Sequence, residues 1–210
     1  DHRMKKLFLS SSFVDVAGLL PLFEKELTGK TVSFIPTAST VEKVTFYVRA
    51  GKEALEKLGM IVDVLDISSE SPDEIRRRIA ANDCMYVSGG NTFFLLQELK
   101  RTGADAAIVR AVQDGKLYIG ESAGSIVAAK NIEYVKAMDS SAKAPELTNF
   151  DALGLTDFYT VPHVRNFPFK KAAKKIIDEY SASLDLLAIA NDEAILVEDD
   201  ALRVEHWTRT

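Results

Sequence analysis

The sequence predicts an α/β fold in three layers: a mostly parallel sheet with helices on both faces, finished by a C-terminal β-hairpin. Three observations predict it. Short apolar runs alternate with longer amphipathic ones along the chain. The short runs are largely apolar, as expected of strands buried on both faces. Glycine and proline punctuate the junctions, with no internal repeat and no linker rich enough to divide domains, so residues 4–210 read as one domain.

Residues 6–9 are the first strand, and residues 14–27 a helix despite Pro21. Residues 31–35 are a second strand, ended by Pro36. Residues 41–58 have helical spacing, with Val44, Val48, Leu55 and Leu58 along one side and Gly59 closing the helix. A third strand spans 60–67. Ser71 then caps a helix whose first turn holds Pro72. A fourth strand, 85–88, meets the turn Gly89-Gly90-Asn91-Thr92 and a helix over 93–101. A further helix, 104–114, leads through Gly115 to the strand Leu117-Tyr118-Ile119. Later come a strand at 158–161, a helix at 169–183 and a strand at 186–190. The runs 194–197 and 202–205 form the hairpin about Asp199-Asp200.

Composition narrows the function. The 210 residues carry a formal net charge of −5, with no long basic run, so nucleic acid is not expected as a partner. Arg76-Arg77-Arg78 and the lysines at 170, 171, 174 and 175 read as solvated helix faces. The single Cys84 permits no internal disulfide, fits a reducing compartment and reads as a small buried residue. No apolar run approaches the roughly 20 residues of a membrane span, and no signal peptide is read, so a cytoplasmic protein is expected. Asp1-His2-Arg3 precede the first methionine and are set aside as a remnant.

The chemistry concentrates in Gly120-Glu121-Ser122-Ala123-Gly124. A bare Gly-x-Ser-x-Gly arises by chance in about one chain of this length in fifteen. Its context is more telling, because a strand precedes it and helix-forming residues follow. Such a turn strains the serine, projects its oxygen and lets flanking glycines avoid clashes. The Ala123 N–H would face a developing oxyanion, with Gly89 or Gly90 as the second donor. The Gly89-Gly90-Asn91 turn lacks the spacing of either nucleotide fingerprint. In a parallel sheet both glycine turns fall at the carboxyl edge, where sites form.

A serine needs a base. His2 belongs to the remnant and His206 lies four residues from the C-terminus, which leaves His163 at the end of its strand. The orienting acid is expected to be Glu193; Asp139 is the second choice, and Asp192 a third that suits a turn. The histidines and the cysteine have no zinc-ligand spacing, and no cofactor is expected.

Ser88-Gly89-Gly90-Asn91-Thr92, Gly120-Glu121-Ser122-Ala123-Gly124-Ser125, His163 and Asn191-Asp192-Glu193 together carry a resemblance. In order and interval they resemble the dipeptidase E family of serine peptidases, which includes aspartyl dipeptidases and cyanophycinases. The resemblance implies a flavodoxin-like fold similar to the class I glutamine amidotransferase domain, with serine replacing its cysteine. It implies Ser122 as nucleophile, His163 as base and Glu193 as orienter, with Asp139 the alternative. If Glu193 is the acid, the order Ser, His, Glu differs from an α/β-hydrolase, whose acid precedes its histidine.

Glu121 departs from the family, since an aspartyl dipeptidase carries a bulky aromatic there. The residues after His163 also differ. The expected function is therefore a serine dipeptidase or small-peptide hydrolase without assured aspartate specificity. An esterase or amidase with the same triad, or a non-catalytic small-molecule sensor, are the rivals. Glu121 is expected to pair with a substrate α-ammonium, Arg165 with a carboxylate, and Asn91 to join them in substrate binding. A monomer or homodimer is expected.

Overall fold

A computed structural model describes residues 5–208, so Asp1-His2-Arg3 lie outside the described residues. The strands are β1 (Lys6–Ser10), β2 (Thr31–Ile35), β3 (Ile61–Val64), β4 (Cys84–Val87) and β5 (Leu117–Glu121), then β6 (Tyr159–Val161), β7 (Leu186–Ala188), β8 (Glu193–Glu198) and β9 (Ala201–His206). The α-helices are α1 (Phe13–Val16), α2 (Leu20–Phe23), α3 (Phe46–Lys57) and α4 (Pro72–Ala81), then α5 (Thr92–Thr102), α6 (Ala104–Gln113), α7 (Ala123–Ile126) and α8 (Lys170–Tyr180).

Seven strands make the main sheet in the order β3-β2-β4-β5-β1-β8-β9. The first five are parallel, while β8 runs antiparallel to β1 and forms the hairpin with β9. Strand alternation divides the core between two faces. Leu7, Leu9, Val87 and Tyr118 pack against α5 and α6, through Leu95, Leu99 and Ile108. Phe8, Phe34, Tyr86 and Ile119 pack on the other face against α1 to α3, through Phe13, Leu20 and Leu55. Cys84 is buried there, and burial raises its thiol to about 12, which leaves it inert. Among the described residues no helix is long and apolar enough to cross a membrane.

Several boundaries differ from expectation. The helix over 14–27 becomes α1, a 3-10 turn at Ala17–Leu19 and α2, ending at Phe23. Pro21 lacks an N–H and its ring rejects the preceding carbonyl, so the helix restarts with Pro21 in its first turn. Residues 41–45 stay outside α3, and Val44 is exposed rather than packed beneath it. β3 is shorter than 60–67 because it is an edge strand, with Ile61 and Val64 exposed. Arg78 is not a solvated charge: it pairs with Asp63, which holds that carboxyl below its usual range.

The largest departure is β6, which carries the chain toward His163. It joins β7 in a separate two-stranded parallel sheet, not the main one. Three ends nevertheless meet. The registers Ser10↔Glu121 and Val87↔Gly120 bring the ends of β1, β4 and β5 to one edge. Antiparallel pairing of Ser10 with Ala194 brings the start of β8 there too.

Candidate active site

Ser122 follows β5 with φ 52° and ψ −106°, a backbone that L residues adopt only when the surroundings enforce it. Its N–H donates to the Ser10 carbonyl at 2.8 Å. The Ser125 hydroxyl donates to the same carbonyl, and the Tyr118 hydroxyl to that of Gly124. The flanking glycines are obligatory. A Cβ on Gly120 would stand 2.7 Å from the Gly124 oxygen, and one on Gly124 only 1.9 Å from the Val87 oxygen. The turn is built to present the serine.

His163, at φ 62°, lies with its Nε2 2.9 Å from Ser122 Oγ. Its N–H donates to Ser11 Oγ at 3.0 Å, and its ring stacks on Phe169 at 4.8 Å. The small sheet aims it: Val161 pairs with Ala188, and the Val164 N–H donates to the Ile189 carbonyl. Burial lowers the imidazole's pKa below the usual 6.5, opposed by its bond to Asn191. The ring is therefore neutral at pH 7, as a base must be.

The partner of Nδ1 is Asn191 Oδ1, at 3.0 Å. An amide oxygen can only accept, so Nδ1 carries the proton and Nε2 is free to accept from Ser122. Glu193, expected in that position, lies elsewhere. Its Oε1 accepts from the Ala190 N–H at 2.8 Å and is 3.5 Å from an Arg165 guanidinium nitrogen. Glu193 thus braces the turn that carries Asn191. Asp192 pairs with His206 at 2.8 Å, away from the imidazole. Nothing in the sequence marks Asn191 for this position, because triads of this kind are expected to hold a carboxylate there.

Asp139 is also corrected. It accepts from the Thr92 N–H at 2.9 Å and hydroxyl at 2.6 Å, at the start of α5. Burial raises its pKa to about 6 in spite of these bonds. Asn91 caps the same helix through Phe94 N–H and donates to the Ser140 carbonyl, so both its polar atoms serve the fold. Arg165 is exposed beside Glu193 and lines a cavity with Asn191, Asp192 and Trp207.

Glu121 does not face a substrate. It is 3% exposed, and its carboxylate accepts from the Phe13 N–H at 2.7 Å and the Tyr86 hydroxyl at 3.0 Å. The Gly89 backbone is a further, smallest influence favouring the ionised carboxyl. The N–H groups of Gly90 and Ala123 have no partner among the described residues. Gly90 needs to be glycine, with φ 136° and the Ala38 carbonyl 2.2 Å from any Cβ.

Burial raises the Glu121 carboxyl from 4.5 to about 7, opposed by these donors. A raised carboxyl pKa gives stability below the unfolded value that is lost as pH rises through the folded one. Glu121 should therefore withdraw roughly 3 kcal/mol of stability between about pH 4.5 and 7. Glu121→Gln should flatten that dependence, read by denaturant unfolding at pH 5 and 7.5. An unchanged difference between the two pH values would show that another group sets it.

Most of the chain has known counterparts. The profile of Peptidase family S51 matches residues 7–205. An uncharacterized peptidase of Listeria innocua is 59% identical over 94% of each chain. Peptidase E of Citrobacter koseri is 36% identical over 78% of this chain and 70% of its own. The solved structure of a Listeria monocytogenes protein, itself a proposed peptidase E, superposes with a TM-score of 0.94. That protein is 55% identical, and the match covers 98% of this chain and 100% of the other. With the family profile matching nearly its full length and relatives of 59% and 36% identity covering most of it, the chain is a peptidase and belongs to peptidase family S51.

Proposed function

We propose that this peptidase is a serine hydrolase of dipeptides or other small peptides, working through an acyl-enzyme. The observation that carries the reading is the hydrogen-bonded series Ser122 Oγ, His163 Nε2, His163 Nδ1 and Asn191 Oδ1, with links of 2.9 and 3.0 Å.

His163 Nε2 takes the hydroxyl proton as Ser122 Oγ bonds to the scissile carbonyl carbon. The resulting oxyanion is held by the N–H groups of Gly90 and Ala123. The C–N bond then breaks, and His163 passes its proton to the leaving amine. Water, deprotonated by the same imidazole, attacks the ester and releases the acid and free Ser122. Asn191 keeps the proton on Nδ1 throughout the neutral stages, the role asparagine has in Cys-His-Asn proteases.

Incubation with a fluorophosphonate tests the reading. Stoichiometric labelling of Ser122, with parallel loss of turnover on a dipeptide library, is expected. Peptide turnover that survives complete labelling would reject it.

A further inference from the structure

The start of α3 lies beside Ser122 and the Gly89-Gly90 turn. The point where a Gly89 Cβ would stand lies 3.3 Å from Ser122 Cβ and 3.5 Å from Tyr47 Cε2. Tyr47 therefore flanks the glycine turn beside the nucleophile. Its hydroxyl has no hydrogen-bond partner among the described residues, and no fully buried side-chain oxygen lacks one, so this hydroxyl reaches solvent. Phe46 packs edge-on against the Tyr47 ring at 5.9 Å and is itself 74% exposed. Val44, just before the helix, is 63% exposed. Aromatic and branched side chains left uncovered together, rather than singly, mark a surface that binds something.

The charges on this side decide what it binds. Carboxylates of Glu42, Glu121 and Asp139 act on the Tyr47 hydroxyl, and with burial as the main cause they push its pKa to about 12. The hydroxyl thus stays protonated, a neutral donor at every working pH. Lys143, a cation on this side, donates to the Val41 carbonyl at 2.7 Å and lies 3.7 Å from Glu42. The surface beside Tyr47 is apolar with acidic neighbours. It suits an aromatic or aliphatic side chain and repels a carboxylate.

We propose that Tyr47, with Phe46 packed edge-on against it, forms a substrate subsite for a large apolar or aromatic side chain adjoining the scissile bond. The inference rests on Ser122 as the nucleophile. It assigns the enzyme to apolar peptides rather than to those with aspartate at that position. An aromatic side chain buried there would gain both area and ring-edge contact with Phe46 and Tyr47.

The test compares matched dipeptides bearing Phe, Leu, Ala or Asp at each position, on wild type, Phe46→Ser and Tyr47→Ala. Wild type should favour Phe or Leu over Ala, and Ala over Asp, by about tenfold or more in kcat/KM at one of the two positions. Both substitutions should compress the Phe-to-Ala ratio, chiefly through KM. Phe46 is exposed, so Phe46→Ser should fold even where Tyr47→Ala does not. A preference for Asp, or an unchanged Phe-to-Ala ratio in Phe46→Ser, would overturn the subsite. Fluorophosphonate labelling separates the two readings: labelling without apolar preference removes the subsite alone, and failure to label removes the nucleophile and the subsite with it.

Discussion

Ser122→Ala should lower peptide turnover by about 10⁴- to 10⁶-fold, because without Oγ no acyl-enzyme can form. What remains is the residual effect of the oxyanion donors and substrate positioning. The fold should survive. The turn is held by the Ser122 N–H on Ser10, by Ser125 and Tyr118, and by glycines that no other residue could replace. None of those bonds uses Oγ. Alanine at φ 52° bears the same backbone strain as serine. Steady-state kinetics on a dipeptide library, with a thermal melt of the variant, checks both halves. Retention of more than a tenth of wild-type activity would mean that Ser122 is not the nucleophile.

Asn191→Ala should cost about 10² to 10⁴ in kcat, since losing the group that sets the tautomer of a catalytic histidine has effects on that scale. Nδ1 would lose its acceptor, and the ring could carry its proton on Nε2, where it cannot accept from Ser122. Asn191→Asp has a different signature. A carboxylate on Nδ1 favours the imidazolium, so the His163 pKa should rise from its present value below 6.5. Because the base must be neutral, kcat/KM falls as pH drops through that pKa. The acid limb should therefore move to higher pH in Asn191→Asp. Glu193→Gln should cost less than about tenfold, since the amide oxygen can still accept from the Ala190 N–H. Asp139→Asn should loosen the start of α5 without moving the pH profile. If Glu193→Gln costs more than Asn191→Ala, the orienting role returns to Glu193.

The three residues of the series differ in how legible they are in the sequence. Ser122 could be read because its evidence is local: a strand, a tight turn and small helix-forming residues within one short stretch. His163 could be read by elimination among three histidines. Asn191 could not, because Asn191, Asp192 and Glu193 share one turn and the sequence alone does not say which faces the imidazole. That choice is made by two packing events far apart in the chain. Ser10 pairs with Ala194, and Val161 pairs with Ala188, so the start of β8 and the end of β6 meet with Asn191 toward His163.

Glu121 was misplaced for a more elementary reason. Side chains alternate along a strand, and Glu121 shares the face of Ile119, which packs with Phe13 and Tyr86. Its neighbour Ser122 escapes the alternation only because the turn breaks the strand there. The sequence by itself determined the α/β class, most of the elements, the peptidase family and the Ser122 and His163 pair that the fold brings to 2.9 Å. The elements and Ser122 follow from periodicity and turn chemistry encoded in residues close together, the family from the order of its motifs, and His163 from the scarcity of histidine. Only the tertiary structure decided the imidazole's partner, the burial of Glu121, the separate β6–β7 sheet and the placing of Tyr47 beside Ser122. Each depends on strand register between distant segments, and a shift of one residue there turns every side chain to the opposite face.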